Sequence, residues 1–349
     1  MVRDRGESVT KIKKLSSNWL SIREEGLYIR PADIFIDPIR PVKSAIVTHG
    51  HSDHAKPGHG NVYATPETLA IMKCRYGNNF AEKSTETTLR RCVELPGGVV
   101  MTLLPAGHIL GSAQITLVYR NEVATISGDF KRSPDPTCES FEVQKSDIFI
   151  TEATFALPVF NHPPIEKELG RLLQSLEEFS DRCHLVGAYA LGKCQRVMST
   201  LRHMGYTDTI YLHGAQVKLV ELYEQLGVDL GVWRRVSELD DLTCLSGKIV
   251  LAPPSALADR WSQKLPNVMA CMASGWMQIR ARAKQRRAEL PLVISDHADW
   301  TELLKTIEQV SPKQLWVTHG REEALVHKVR QLGIDAMALN LLGYEDDAD

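Results

Sequence analysis

The sequence predicts an α/β protein in two units, one inserted into the other, and three observations carry that prediction. Short runs rich in β-branched residues stop abruptly at an ionisable residue. Between residues 181 and 290 the pattern changes to a strand–helix alternation of its own. The composition, 43% hydrophobic and 24% charged with 23 Gly and 17 Pro in 349 residues, is that of a chain that buries a core.

Taken in order, Ser44-Ala-Ile-Val-Thr48 runs into His49, Glu122–Ser127 into Gly128-Asp129, and Asp147-Ile-Phe-Ile-Thr151 into Glu152. Later, Pro291–Ser295 leads into Asp296-His297, and Gln314–Thr318 into His319-Gly320. Strands that hand over ionisable groups at their C-terminal ends predict one composite site along one rim of a sheet. In the middle, His184–Ala190, Thr209–His213 and Lys248–Ala252 read as strands, with helical patterns over 193–204 and 215–226. That βαβ rhythm predicts a mainly parallel sheet with covering helices. The expected division is therefore a discontinuous domain of residues 1–180 and 291–349 and an inserted domain of 181–290, with a cleft between them. Internal repeats and Gly/Ser linkers are absent from the sequence, which favours compact packing over a tether.

The formal charge of −2 excludes the strongly basic balance of proteins that coat nucleic acid, so any polyanion has to be gripped locally. Seven scattered cysteines without a C-x-x-C pair exclude a cysteine zinc site and a disulfide framework, and most are expected to be small buried residues. Met1–Ser17 lacks the apolar stretch of a secretory signal, and no run approaches the roughly 18 apolar residues of a membrane span, so the expected location is cytosolic, away from membranes.

The chemistry-bearing signal is His49-Gly-His-Ser-Asp-His54, four potential ligands in six residues just past a predicted strand. Imidazoles and carboxylates without cysteine suit a catalytic site for zinc, with manganese or iron the alternatives. Two histidines two apart reach one metal, while an adjacent Asp-His pair turned the other way reaches a second, so one loop serves two ions. Further candidates are His108 in Pro105-Ala-Gly-His-Ile-Leu-Gly111, Asp129 as a bridging carboxylate, and His319 for the second ion. Asp37 is placed to orient a ligating histidine. His59, His162, His184, His203, His213 and His327 read as structural.

At these residues the chain resembles the metallo-β-lactamase superfamily, and its late strand ends resemble the β-CASP nuclease branch. Tyr189-Ala-Leu-Gly-Lys-Cys-Gln195, Ser274-Gly-Trp-Met277 and Ser295-Asp-His-Ala-Asp-Trp300 are similar to bacterial ligase-associated DNA exonucleases. The resemblance implies an αββα sandwich with an inserted β-CASP α/β domain over its metal edge. It implies His49, His51 and His108 on one metal, Asp53, His54 and His319 on the other, and Asp129 between, with Asp53 also in the catalytic set. It makes Glu152 and His297 a proton-donating pair. It implies nucleic acid as substrate, DNA before RNA, and work beside an ATP-dependent DNA ligase and a helicase. A histidine at the last of these motifs, here His319, is typical of RNA-processing members, which keeps an RNA-processing ribonuclease as the alternative.

Two divalent ions fit phosphodiester hydrolysis, which needs an activated water and a clamp on attacking and leaving oxygens. His297, held by Glu152, is the candidate general acid. Arg280, Arg282, Lys284, Arg286 and Arg287 form a cationic run that fits phosphate neutralisation, and Lys193 and Gln195 at a helix start are further phosphate candidates. Trp276 reads as core before base-stacking platform. A small-molecule hydrolase explains the metal ligands equally well but not the insertion between Glu152 and His297. A scaffold protein with a degenerate site fits least, because every ligand position holds a competent residue.

Overall fold

The computed structural model describes residues 18–339, so the segment Met1–Ser17 lies outside the described residues. Among these residues the chain forms three sheets. The first runs in space as β1 (Leu20–Arg23), β2 (Gly26–Ile29), β3 (Ile34–Ile36), β4 (Ser44–Ile46), β5 (His59–Ala64) and β6 (Ala81–Glu86). The second is ordered β19 (Asp335–Ala338), β18 (Gln314–Gly320), β11 (Ile148–Ala153), β10 (Glu122–Ile126), β9 (Ala113–Tyr119), β8 (Val99–Pro105) and β7 (Cys92–Leu95). The third is ordered β14 (Trp233–Arg235), β13 (Ile210–Leu212), β15 (Ile249–Ala252), β12 (Cys183–Gly187), β16 (Val268–Ala273) and β17 (Leu290–Leu292). The helices are α1 (Pro66–Tyr76), α2 (Ile165–Glu178), α3 (Lys193–His203), α4 (Gly214–Gln225), α5 (Arg280–Gln285), α6 (Trp300–Val310) and α7 (Glu322–Gln331).

The first two sheets face each other. Leu20, Ile29, Ile36 and Ile46 of one meet Met101, Leu103, Ile115, Leu117 and Ile126 of the other in a single apolar layer. The pattern in β8 shows why: its residues alternate buried and half-buried, the period of two that puts every second side chain into the layer. Outside the first sheet, Leu69 and Met72 of α1 cover Val62 and Ala64. Outside the second, Leu303, Ile307 and Val310 of α6 and Leu325 and Val329 of α7 cover Phe149, Leu315 and Val317. The result is the αββα sandwich. Leu303, Ile307 and Val310 form the helical stripe of α6, whose start is fixed by the Asp299 carboxylate accepting from the Glu302 amide at 2.9 Å.

All pairings in the third sheet are parallel. Strands β12 and β15 are buried along their whole length, as expected of a parallel sheet covered on both faces. Helices α2, α3 and α4 cover one face, and Ile71 of α1 and Ile109 join that same cluster, so this unit packs directly against the sandwich. Its last strand, β17, extends beyond residue 290 and straddles the boundary expected there.

Of the cysteines, Cys183, Cys194 and Cys271 are buried, Cys74 and Cys138 are half-buried, and Cys92 and Cys244 are exposed; all are free thiols. Fully buried cysteines are thus three of seven, short of the majority expected, because Cys74 and Cys138 are only half covered and Cys92 and Cys244 lie on a sheet edge and a surface turn. No helix among the described residues is long and apolar enough to cross a membrane.

Candidate metal centre

The site does not lie along the rim of one sheet, as the sequence alone suggests. His49–His54 follow β4 of the first sheet; His108, Asp129, Glu152 and His319 come from β8, β10, β11 and β18 of the second; and His297 follows β17 of the third. Three sheets meet here. Two glycines permit the close approach. Gly128 has φ +56°, and a Cβ there would lie 2.9 Å from Thr48 Cβ; Gly107 has φ +73°, and a Cβ there would lie 2.5 Å from the Lys131 carbonyl oxygen. Only glycine adopts these conformations without strain.

His49 Nε2 and His108 Nε2 lie 3.1 and 3.0 Å from His51 Nδ1. The outer nitrogen of each ring is committed elsewhere. His51 Nε2 faces the Leu191 carbonyl at 3.2 Å and His108 Nδ1 the Asp296 carbonyl at 2.7 Å. A carbonyl only accepts, so both outer nitrogens carry the proton. Thr48 Oγ1 donates to Asp37 Oδ2 at 2.6 Å, which leaves it to accept from His49 Nδ1 at 3.0 Å. All three outer partners therefore assign the tautomer that turns an imidazole lone pair inward. Three converging lone pairs repel one another and fit a cation between them. Burial, then repulsion from neighbouring rings, holds His49 and His108 well below the ordinary imidazole range, and burial lowers His51, so all three are neutral donors.

Beside them Asp53, His54 and Asp129 form a second compact donor group, and Asp129 belongs to both. His54 Nδ1 is held by Asp37 Oδ2 at 2.7 Å, which directs Nε2 towards Asp129 at 3.4 Å and Asp53 at 3.5 Å. Asp37 also accepts from the Thr48 amide at 2.8 Å, so one carboxylate fixes both the loop and the ring. Burial disfavours the charged form of His54, but Asp129, Asp53 and Asp37 more than offset it and raise its pKa well above the ordinary value. This place favours positive charge. Burial likewise pushes the Asp53 and Asp129 carboxyls up, and His54 outweighs it, so both stay ionised. The donor set fits two divalent cations, and the 30% exposure of the Asp53 side chain leaves the second position open to solvent. His319 stacks on His54 with ring centroids 5.0 Å apart, outside the compact groups of donors; burial and then His54 push it down to about 3.

A third group, Asp129, Glu152 and His297, is also compact. Both Glu152 oxygens face His297 Nδ1, at 2.9 and 3.2 Å, and Glu152 Oε1 accepts from the Phe130 amide at 2.7 Å. That is a hydrogen-bonded acid–imidazole pair. Burial works against the imidazolium, but Glu152, then Asp129, raises His297 above its ordinary value. A cavity of about 270 Å³ opens beside it, lined by His162, Arg196, Ser295, His297, Asp299 and Glu302.

The candidate nucleic-acid contacts divide. Arg280 and Lys284 of α5 are exposed, and Arg282 lies over the Trp276 ring at 3.7 Å. Trp276 itself is buried against Phe155 and Phe160. Lys193 and Gln195 cannot serve as phosphate contacts. The Lys193 side chain is fully buried with its ammonium 3.8 Å from Asp296, and Gln195 spends its amide on its own helix start, accepting from the Gly192 amide and donating to the Ala190 carbonyl, both at 2.8 Å. Helical periodicity places these residues at the start of α3 but not on its solvent side. Of the remaining histidines, His59, His184 and His213 make local structural bonds, His213 Nδ1 accepting from the Ala215 amide to cap α4. Sequence reasoning missed Lys131, Asp135 and Arg196, which surround Asp296 behind the histidines. The only signal for them is the charged residue beside His297.

Residues 291–338 match a family model described as a Zn-dependent metallo-hydrolase RNA specificity domain. Over 319 residues, 90% of this chain and 30% of the relative, the chain is 28% identical to a probable DNA ligase of Opitutus terrae. It is 26% identical over 205 residues to the endoribonuclease YSH1 of Mycosarcoma maydis, covering 48% of this chain and 23% of that one. The chain thus spans less than a third of the length of either relative. A crystal structure of a protein of unknown function from Enterococcus faecalis shares the fold, with a TM-score of 0.53 at 13% identity over 86% of this chain and 79% of that one.

Proposed function

Because the chain belongs to the β-CASP nuclease branch of the metallo-β-lactamase superfamily, we propose that it is a DNA exonuclease acting in repair, with two divalent cations as cofactors, zinc before manganese. The observation that carries the choice of DNA is the similarity to a probable DNA ligase, which runs over 90% of this chain. It also supports work beside a ligase; a helicase partner rests on the sequence resemblance alone.

His49, His51, His108, Asp53, His54 and Asp129 would hold two cations, which would supply polarisation of a phosphoryl group and activation of a water. The residues do the rest. His49, His51 and His108 present lone pairs already oriented by Thr48, Leu191 and Asp296, so binding a cation costs little reorganisation. Asp129 belongs to both donor groups and would serve either cation. His297 donates the proton that the leaving oxygen needs, and Glu152 keeps its ring oriented and charged until transfer. The cavity beside His297 gives a strand room to approach, and the exposed Arg280 and Lys284 supply phosphate contacts.

RNA processing is the second reading, favoured by the match of residues 291–338 to an RNA specificity domain. The experiment that separates them incubates zinc- or manganese-loaded protein with end-labelled single-stranded DNA and RNA of equal sequence, with Asp129→Ala as control. Stepwise shortening of DNA, lost in the variant, is the expected result. Cleavage of RNA alone moves the substrate to RNA, and cleavage of neither returns the protein to the small-molecule hydrolases of the same fold.

A further inference from the structure

Behind the histidines lies a buried cluster of five charged side chains, Lys131, Asp135, Lys193, Arg196 and Asp296, each no more than 5% exposed. They come from three parts of the chain: the loop after β10, the first turn of α3, and the link between β17 and α6. Buried ion pairs are weak contributors to stability, because desolvation offsets most of the attraction. The geometry of this cluster points to another use.

Arg196 Nη1 donates to Asp296 Oδ1 at 3.0 Å and to the Ser295 carbonyl at 2.5 Å, while Lys193 approaches the other Asp296 oxygen at 3.8 Å. The carboxylate and the main chain of this segment are therefore both pinned to α3. The Asp296 carbonyl in turn accepts from His108 Nδ1 at 2.7 Å. From the opposite side Lys131 donates to the His108 carbonyl at 3.3 Å and to Asp135 at 2.7 Å, and Asp135 lies 3.4 Å from Arg196 Nε. His108 is thus held by its ring and by its backbone within one ionic frame. The residue after Asp296 is His297, whose amide donates to Ser295 Oγ at 3.0 Å, and the carbonyl of the same Ser295 is held by Arg196.

We propose that Asp296 is a positioning residue: anchored by Arg196 and Lys193, it holds its own carbonyl where it orients the His108 ring, and so makes the three-histidine position depend on helix α3 of the third-sheet unit. Removing the carboxylate leaves two buried cations facing the segment, which shifts and releases the His108 ring. The neighbouring Asp53–His54 position, held by Asp37, has no part in this frame and keeps its donors.

The inference rests on the two-metal reading, and its test needs no nucleic acid. Wild type and Asp296→Asn are titrated with Co²⁺, followed by visible absorption, with thermal melting as a check on folding. The expected result is two binding steps in wild type and, in Asp296→Asn, one step retained and the other weakened by about 10- to 100-fold, the usual effect of losing an outer partner of a metal-bound histidine. Arg196→Lys, which keeps the charge but loses the forked contact to Asp296 and Ser295, should weaken the same step by less and serves if the first variant does not fold. Unchanged affinity in both steps, with only the melting temperature lowered, would overturn the proposal by making Asp296 purely structural. A wild type that takes up no Co²⁺ would overturn the metal-site reading itself, and this inference with it.

Discussion

The two buried charge clusters lie side by side and differ in what balances them. Around Asp296, three cations meet two anions, so all but one charge is balanced within the protein. Around Asp129 the neutral rings of His49, His51 and His108 meet Asp53, Asp129 and Asp37, which leaves negative charge in excess of the one ring, His54, that they raise. The first arrangement is complete as folded, whereas the second fits positive charge from outside. A buried polar cluster is thus informative through its balance: the one whose charges are largely paired builds a frame, and the one with excess negative charge fits a cation.

The comparison can be broken most sharply at Asp129. Replacing it with Ala removes the carboxylate shared by the donor groups and should lower hydrolysis by on the order of 10²–10³-fold or more. Zinc at about 1,000 times its Kd should stabilise the wild type by about 4 kcal/mol. That gain should largely vanish in Asp129→Ala, as melting with zinc against EDTA will show; an equal gain in both would move the cations elsewhere.

Glu152→Gln comes next, with an expected loss of about 10²–10⁴-fold in kcat. Glu152 raises the His297 pKa, so the acid is present below that value and lost as pH rises through it. Removing Glu152 should therefore move the alkaline limb of the kcat profile to lower pH. A limb that stays in place takes His297 out of the acid role.

Within the balanced cluster, Asp296→Ala should cost about 3–5 kcal/mol, because it leaves cations buried without a partner. Lys193→Met removes the excess cation, and the expected change is within about 1 kcal/mol. Burial lowers Lys193 to about 8, Asp296 only partly opposing it, while the unfolded chain keeps the proton to about 10.5. The unfolded state binds more protons between those values, so wild type should gain melting temperature relative to Lys193→Met as pH rises from about 8 to 10. Equal costs for both replacements would mean the cluster is not balanced in the way described.

The smallest effect on the fold belongs to the surface. Arg280→Ala with Lys284→Ala should change stability by less than about 0.5 kcal/mol and reduce the salt dependence of DNA binding by roughly one to two units of slope. An unchanged slope removes α5 from the binding surface.

What the sequence makes legible is what depends on local spacing. His49–His54 announce themselves because ligand types crowd into six residues, Asp129 and His319 because each follows an apolar run, and His108 because glycines flank it in Pro105–Gly111. Helices over 193–204 and 215–226 and three strands of the third sheet follow from periodicity, and the structure places the helices within a residue and the strands within about three, while β14 and β16 are not read from it. Which sheet each strand joins is not local, so a site at the meeting of three sheets reads from the chain as the rim of one. Inward and outward faces of α3 are equally hidden, since Lys193 and Gln195 carry side chains that usually seek water. Lys193 is buried against Asp296, about a hundred residues away, while Gln195 turns back on its own helix start. Pairing among Lys131, Asp135, Arg196 and Asp296 is likewise settled by packing alone.

The convergence of strands from all three sheets also sets an order of events during synthesis. Asp37 and the His49–His54 loop emerge early, but the strand carrying His319 pairs with β11 only after the whole intervening unit has been made, a long-range parallel pairing of the slow-forming kind. A nascent chain on the ribosome therefore carries His49–His54 without His297 or His319. The full set of donors is thus assembled only in the finished fold, and a chain abandoned part-way through translation never completes it.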